Sequence, residues 1–332
     1  MKKPHRQHGV GGIVLLGIGA MWLALASAAQ ATSDYWVSEW PNTDFSKSSV
    51  DFADILSGGP PKDGIPSIDD PIFVPVSEMT GLSPTEPVVG LTINGDARAY
   101  PLRILTWHEI VNDVVGGIPV MITYCPLCNT AIAFDRRLDG RAVEFGTTGK
   151  LRKSNLIMYD RESESWWQQI LGEGIVGART GERLKALPTR LESWERFKVR
   201  NPDGKVLVPN NPEIRPYGAN PYVGYDGASV PFLYAGDFPK GIAPMAYVVA
   251  VDNQAWSLDL LRREGKVESG DLVLTWEAGQ NSALDTRAIA EGRDIGNVIV
   301  QRRADSGLED ISYDVTFAFV FNAFQPEGTI FR

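Results

Sequence analysis

The sequence predicts a mainly β protein: a single β-rich unit made of two weakly repeated lobes, with two or three short helices. Three observations predict this fold class. After residue 87 the apolar residues fall in short runs that mostly alternate with polar ones. Turn dipeptides such as Asn94-Gly95 and Asp139-Gly140 separate the runs, and the chain contains a weak internal repeat. Because 43% of the residues are apolar, the chain can bury a large core without disulfide staples.

The internal repeat consists of three pairs of similar segments in the same order. The pairs are 88–105 with 248–262, 121–136 with 272–287, and 159–174 with 313–328. Both cysteines lie in the first copy, and residues 277–280 are predicted to take their place in the second. Because the second copy has no cysteine, the fold itself is not expected to require them.

The chain divides into four predicted segments. They are a signal peptide at 1–31, an irregular lead-in at 32–87, a first β-rich lobe at 88–240 and a second β-rich lobe at 241–332. The first segment combines a basic start, an apolar run and small residues before a cleavage site after Ala31. The protein is therefore predicted to be exported, most simply to a bacterial periplasm. An uncleaved membrane anchor is the alternative, although the apolar run is short for a span.

The charge and histidine content exclude several classes of function. Cleavage after residue 31 removes Lys2, Lys3 and Arg6 but no acid, so the formal net charge changes from −9 to −12. So acidic a protein is a poor partner for nucleic acid or an anionic membrane. Of the three histidines only His108 lies beyond the predicted signal peptide, so a Ser-His-Asp hydrolase has one imidazole to use and lacks a G-x-S-x-G motif.

The elements of the first lobe are predicted from local signals. A hairpin turns at Asn94-Gly95, a dipeptide suited to a tight turn. Residues 106–113 are predicted as a short helix, with Thr106 as N-cap and Glu109 completing a capping box. Residues 118–124 follow as a buried strand that leads into the first cysteine.

The rest of the chain holds a second helix and a long loop. Residues 190–200 are predicted as the helix, which Asn201-Pro202 ends. Residues 209–237 form a loop with several aromatic side chains among Gly and Pro, which is predicted either to line a ligand cleft or to wrap the sheet edges. The final third is again rich in short strands.

Cys125 and Cys128 lie in the sequence Cys-Pro-Leu-Cys, and two interpretations of this spacing involve no metal. A thioredoxin-like couple needs a helix after the motif to lower the thiol pKa, but the following residues alternate like a strand. A disulfide suits an exported protein. Closing so short a loop, however, stabilises a fold by only about 2 kcal/mol.

The third interpretation is a metal knuckle. A Cys-Pro-x-Cys turn at a strand end can point two thiolates at one ion, and Asn129 tolerates the left-handed conformation that such a turn needs. Zinc is possible but usually takes four protein ligands, and the chain has no second cysteine pair. Cu(I) accepts fewer, softer ligands. Imidazole from His108 and thioether from Met121 or Met158 are the nearest additional donors.

The predicted ligands are therefore Cys125, Cys128, His108 and Met158. The reach of His108 is left open, because its helix covers roughly 9 Å at 1.5 Å per residue. The strand before the first cysteine covers roughly 23 Å at 3.3 Å per residue. A helix-surface histidine paired to Glu109, or to nothing, is the alternative for this residue.

Several long motifs resemble a bacterial family known as domain of unknown function 3179, over about residues 70–332. The motifs are RAYPLRILTWHEIVND, TYCPLCNTAIAFDR, SNLIMYDRESESWWQQ, NPYVGYD and DVTFAFVFNAF. The resemblance implies an exported or membrane-associated protein with a Cys-Pro-Leu-Cys motif and no settled activity. The family pattern includes His108, both cysteines and 158–161. This chain has Asn129 where relatives often have Gly, and Asn322 where some have His.

The favoured hypothesis is a periplasmic metal-binding protein that delivers or sequesters Cu(I). One alternative is a thiol-disulfide redox protein that uses Cys125 and Cys128 without metal. Another is an interaction module in which the same pair forms a structural disulfide. The expected partner is a metal ion, with a periplasmic or membrane protein as a further candidate and no nucleic acid. Whether the protein is an enzyme is left open.

Overall fold

The computed structural model describes residues 35–332. It is mainly β, with 41% strand and 16% helix, and its small sheets are arranged like the blades of a five-bladed propeller. This confirms the predicted mainly β class, but the described residues contain five helices where two or three were predicted. The predicted signal peptide lies outside the described residues. Within 35–332, no helix combines the length and apolar character that crossing a membrane requires.

The strands are numbered β1–β24 in chain order. Their bounds are Ile55–Ser57, Ile72–Pro75, Pro87–Ile93, Asp96–Pro101, Ile110–Val115, Ile118–Cys125, Thr130–Asp135, Arg137–Leu138, Arg141–Ala142, Phe145–Arg152, Asn155–Asp160, Trp166–Gln168, Glu173–Val176, Lys185–Leu187, Arg190–Ser193, Lys205–Val208, Tyr247–Val251, Gln254–Ser257, Lys266–Ser269, Leu272–Glu277, Asn297–Ala304, Gly307–Asp310, Asp314–Phe317 and Thr329–Phe331. After a helical segment at 35–39 the helices are α1 Leu102–His108, α2 Trp194–Arg200, α3 Leu258–Glu264 and α4 Ala318–Phe324.

Five sheets of four or five strands make up the fold, and β8 and β9 form a further small hairpin. Their strand orders are β1-β10-β11-β12-β13, β14-β7-β6-β5, β15-β3-β4-β16-β2, β23-β17-β18-β24 and β19-β20-β21-β22. One continuous hydrophobic core, from Ile68 to Val320, contains side chains of all five sheets. The finer prediction is two lobes that meet near residue 240. The main core contains residues from both predicted lobes, so this division stays a prediction.

Two of the sheets repeat the same topology. The order β15-β3-β4-β16 matches β23-β17-β18-β24, and in both the first three strands are antiparallel while the last pair is parallel. A helix follows the second hairpin strand in each copy, α1 after β4 and α3 after β18. The predicted correspondence of 88–105 with 248–262 is therefore seen in the backbone.

The third predicted pair, 159–174 with 313–328, is wrong. The structural counterpart of 314–331 is the strand-helix-strand unit 190–208, whereas 159–174 runs through the antiparallel strands β11 and β12. The two helices of the true pair end in the same way: Asn201 has φ −134 and ψ 68, and Gln325 has φ −132 and ψ 66. Shared Tyr-Asp and Glu-Gly dipeptides misled the sequence comparison because they carry no information on strand pairing.

The first predicted helix, 106–113, is displaced. The helix α1 runs from Leu102 to His108, and the Thr106 hydroxyl donates to the Leu102 carbonyl within it instead of capping its start. Glu109 ends the helix, and the residues after it pair with β6 as strand β5. Sheet pairing of this apolar run outweighs the local capping signal.

The other local predictions agree better with the structure. Asn94-Gly95 and Asp139-Gly140 both turn tightly with positive φ, and the strand predicted at 118–124 is β6 with one more residue. The second helix, α2, begins at Trp194 because the four residues before it form the strand β15, and it ends before Asn201-Pro202 as predicted.

Candidate dithiol site

The two cysteines lie at the ends of a tight hairpin turn. Strand β6 ends at Cys125, β7 begins at Thr130, and the backbone N–H of Cys128 donates to the Cys125 carbonyl at 3.1 Å. Asn129 has φ 52, which confirms the left-handed conformation expected at this position. The two cysteines form no disulfide in the described structure, and 2% and 0% of these residues are exposed, so the turn holds a buried cysteine pair.

Both thiols donate to one backbone carbonyl. The Cys128 Sγ lies 3.4 Å and the Cys125 Sγ 3.8 Å from the Ser154 oxygen. Burial raises the pKa of the Cys128 thiol, and its hydrogen bond with Cys125 raises it further. Cys128 is therefore a protonated thiol at neutral pH, and removing its proton requires a compensating cation.

A strained turn presents this carbonyl. Lys153 and Ser154 connect β10 to β11 and have φ 52 and φ 65, a pair of left-handed residues that Asn-Gly or Gly-Gly usually supplies. A left-handed conformation at a residue other than glycine costs free energy, so it persists only where the surrounding structure enforces it. The sequence did not indicate Ser154, because Lys153-Ser154 lacks the Asn or Gly that marks such a turn.

His108 lies at the end of α1 and uses both ring nitrogens. Its Nδ1 is 2.8 Å from the Pro66 carbonyl oxygen and its Nε2 is 2.7 Å from the Tyr217 hydroxyl. Because a carbonyl can only accept, Nδ1 carries the proton and Nε2 accepts from Tyr217. Burial lowers the pKa of His108, so the imidazole is neutral at pH 7.

The β5–β6 hairpin brings His108 and Cys125 to the same end of one sheet. Ile110 pairs with Thr123, and the Tyr124 N–H donates to the Glu109 carbonyl at 2.8 Å. The next positions along this register are therefore His108 and Cys125. The sequence left open whether the short helix and the longer strand end near each other. Because strand β5 continues the chain from Glu109 and pairs with β6, both segments end at the same edge of the sheet. The His108 ring itself contacts Pro66 and Tyr217.

The methionines lie further away along the strands. Met158 is fully buried on β11 between Thr147 and Trp167. The Asn155 side chain hydrogen-bonds the Cys128 thiol, and Met158 lies three residues further along β11, roughly 10 Å at 3.3 Å per residue. Met121 precedes the first cysteine by four residues of β6. Within residues 35–332 no group of three or more His, Cys, Asp or Glu side chains is placed to hold a metal ion. Ligation by Met158 stays a prediction.

The aromatic loop covers the dithiol turn. The Tyr225 hydroxyl donates to the Leu127 carbonyl at 3.0 Å, and the Ser154 hydroxyl donates to the Phe232 carbonyl at 2.6 Å. The Phe232 N–H in turn donates to the Tyr225 hydroxyl at 3.3 Å. Together with Tyr217 on His108, these contacts place residues 217–232 as a cover over both parts of the candidate site.

Glu109 is a functional candidate that the sequence indicated only as a helix cap and as an alternative partner of His108; the imidazole bonds Pro66 and Tyr217. Glu109 has φ 58 and ψ −32, lies outside the usual left-handed region, and is 8% exposed. Burial raises the pKa of its carboxyl group to about 8. Burial and then the neighbouring Glu109 and Cys125 raise the pKa of Tyr222. A buried carboxylic acid therefore lies near the dithiol.

Fold and site together define a mainly β, propeller-like protein with a buried dithiol beneath an aromatic loop. The chain belongs to the family described as "Protein of unknown function (DUF3179)", whose model matches residues 62–328. This confirms the resemblance seen in the sequence motifs. Neither a curated protein nor a solved structure matches the chain.

Proposed function

We propose that the protein binds a soft metal ion, Cu(I), through Cys125 and Cys128 and serves its delivery or sequestration. One observation carries the proposal: two free thiols lie side by side on a single carbonyl oxygen. Thiolates favour soft ions, among them Cu(I), and also bind zinc. Zinc is the less favoured metal because its structural sites use four protein ligands.

The hydrogen bonding of His108 supports a role for it as third ligand. A metal-ligating histidine usually donates its other ring N–H to a carbonyl or carboxylate, as Nδ1 does here to Pro66. That arrangement leaves Nε2 for the ion. In the structure the Tyr217 hydroxyl of the aromatic loop hydrogen-bonds this nitrogen. Displacement of the aromatic loop would free Nε2 and uncover the thiols. Met158 is kept as the candidate fourth ligand.

Two finer proposals concern export and the division into lobes. The basic and apolar composition of residues 1–31 supports export to a periplasm, with a membrane anchor as the alternative. The shared strand order of two sheets supports a description as two related lobes within one unit. A periplasmic or membrane protein that exchanges the metal is the proposed partner.

Thiol-disulfide exchange is the second candidate function. The observation that favours it is the same pair of adjacent cysteines, which form no disulfide in the structure. Burial works against it, because the thiolate is the attacking species and the raised pKa of Cys128 keeps that group protonated. The interaction module with a structural disulfide stays a prediction.

A copper competition assay tests the main proposal. Protein without a histidine tag is titrated anaerobically with Cu(I) against a chromophoric Cu(I) chelator. The wild type is expected to hold about one ion per chain, with affinity that falls as the pH falls because binding releases thiol protons. Cys125→Ser and Cys128→Ser should abolish this binding, and His108→Gln should weaken it. Ile122→Leu, a change in β6 that involves no metal-donor atom, is the matched control.

Two outcomes would overturn the proposal. The first is a wild type that retains no more copper than the Cys125→Ser/Cys128→Ser variant. The second is copper binding that both cysteine substitutions leave intact. Mass measurement after thiol alkylation separates the remaining candidates. Reversible loss of two alkylatable thiols in a glutathione buffer supports redox exchange, whereas a pair that stays oxidised in mild reductant supports a structural disulfide.

A further inference from the structure

A pocket of about 360 Å³ lies in the second copy of the repeat. Its walls come from α3, the start of β17, the end of β20 and residues 293–295. This volume is within the range of small-molecule sites, roughly 300–1,000 Å³. Neither the metal proposal nor the redox alternative uses this pocket.

The repeat shows why the pocket is open. In the first copy the Trp194 N–H donates to the Glu86 carbonyl, and in the second the Ala318 N–H donates to the Ala246 carbonyl, both at 2.8 Å. Glu86 and Ala246 are therefore equivalent. Glu86 is 1% exposed and forms a two-pronged ion pair with Arg103 of α1. The small side chain of Ala246 leaves that volume unfilled, and Ala246 lines the pocket.

The acids around the pocket are mostly satisfied by the protein. Asp294 accepts hydrogen bonds from three backbone N–H groups, those of Gly279, Gln280 and Gly296. Asp226 is fully buried and accepts from Tyr247, Ser282 and Arg293. Asp259, in the first turn of α3, is the remaining acid and is exposed.

Two arginines supply positive charge to the same space. The Arg262 guanidinium lies 5.4 Å from the centre of the Trp276 ring and forms no ion pair with the residues at 35–332. Arg293 pairs with Asp226 and Asp285, and 44% of its side chain remains exposed. The cation–π contact with Trp276 holds the Arg262 guanidinium near the ring and leaves its N–H groups available to a bidentate acceptor.

We propose that this pocket binds a small organic carboxylate. The carboxylate group contacts Arg262 and the exposed side of Arg293, and an apolar body packs against Met245 and Leu258. The planar guanidinium group can form two parallel hydrogen bonds with a carboxylate. A ligand larger than acetate also buries apolar surface against the apolar wall and should bind more tightly. Asp226 and Gly227, at one edge, directly follow the cover residue Tyr225, so the ligand would touch the loop that encloses the dithiol.

Isothermal titration of the full mature chain with three probes tests this proposal. Benzoate, benzamide and benzylamine share one ring and differ in charge. Benzoate is expected to bind with saturation, and the other two are not. Arg262→Gln should weaken benzoate binding by about tenfold or more, as loss of a charge-assisted bidentate contact predicts. Arg263→Gln, the exposed neighbour on the same helix, is the matched control and should leave binding unchanged.

Three results would overturn the proposal. They are absence of saturable benzoate binding, equal binding of benzamide or benzylamine, and benzoate binding that Arg262→Gln leaves unchanged. Arg262 is exposed, so loss of folding does not complicate the test, and equal thermal unfolding of both arginine variants checks this. Copper retention is measured separately, so failure of the dithiol proposal does not decide this one.

Discussion

The hairpin-helix units of the two repeat copies have the same backbone but different residues at one strained position. Glu109 ends α1 with φ 58 and ψ −32, and Gly265 ends α3 with φ 67 and ψ −35. Their backbone hydrogen bonds also match. The Glu109 N–H donates to Leu105 at 2.7 Å, and the Gly265 N–H donates to Leu261 at 2.8 Å. The Glu109 carbonyl accepts from Tyr124, and the Gly265 carbonyl accepts from Trp276, both at 2.8 Å.

Glycine is the residue that this backbone favours, because it has no Cβ to clash at positive φ. The first copy keeps a glutamate there, buried and close to Tyr222 and the dithiol. Strain that a fold can avoid, as the second copy shows, points to a functional reason for the side chain. The copies also differ after the shared strand. A tight turn joins β6 to β7 in the first, whereas 278–296 separate β20 from β21 in the second.

The pH dependence of stability gives the largest expected difference between the copies. The pKa of Glu109 is about 8 in the folded protein against an ordinary value of 4.5, so the folded state holds a proton that the unfolded chain loses. The free energy of unfolding should therefore fall as the pH rises from about 4.5 to about 8, by up to about 5 kcal/mol for this group.

Urea unfolding of the wild type and Glu109→Gln at pH 5 and pH 8.5 measures this contribution. The amide does not titrate, so the variant should lose less stability over the interval and be the more stable protein at the higher pH. Burial also raises the pKa of Asp314 to about 7, but that group is common to both proteins and cancels in the difference. Parallel pH profiles would rule out a buried neutral Glu109.

Replacing Glu86 by the alanine of the second copy should have the next largest effect. Glu86→Ala leaves the Arg103 guanidinium without its carboxylate and the Ser83 N–H without its acceptor. Because breaking a buried ion pair strands a charge, the free energy of unfolding should fall by about 3 kcal/mol.

The double variant Glu86→Ala/Arg103→Ala is the control for this second change. It removes both charges and should recover part of the lost stability in urea unfolding. If the free energy of unfolding of Glu86→Ala lies within about 0.5 kcal/mol of the wild-type value, the Glu86–Arg103 pair does not stabilise the first copy as described.

Placing a side chain at Gly265 should destabilise the second copy. Gly265→Ala and Gly265→Glu both put a Cβ at φ 67, and no atom lies within 4 Å of its position, so backbone strain is the only cost they share. Each should lower the free energy of unfolding by about 1–3 kcal/mol. An alanine variant as stable as the wild type would show that this conformation carries no strain.

The reverse change in the first copy should have the smallest effect. Glu109→Gly at pH 5 relieves the strain but adds the conformational entropy of glycine to the unfolded chain, so a gain of about 1 kcal/mol is expected. Glu109→Ala keeps the strained φ and should not match this gain. If glycine and alanine give equal unfolding free energies, the comparison with Gly265 fails.

Local signals in the sequence identified a large part of the fold. Alternating apolar runs predicted a mainly β protein, and Asn94-Gly95 and Asp139-Gly140 turn as expected. The left-handed Asn129 and the correspondence of the first repeat pair were also found. These features follow from the conformational preferences of a few consecutive residues, and those preferences are visible in the sequence.

The misplaced helix and the incomplete site have a different origin. Thr106 carries a capping signal, but the residues from Ile110 onward gain more from pairing with β6 than from a helix. The contact between His108 and Tyr217 joins residues 109 positions apart. Nothing local in either segment specifies which loop will cover which turn.

The sequence by itself determined the β-rich class, the tight turns, the left-handed turn at the cysteines and membership of the family. Only the tertiary structure decided that the thiols of Cys125 and Cys128 share the Ser154 carbonyl and that three tyrosines of one loop lie over the site. The physical reason is range. Backbone preference acts between neighbours in the chain, whereas burial and side-chain partners depend on sheet register and loop docking across the whole fold.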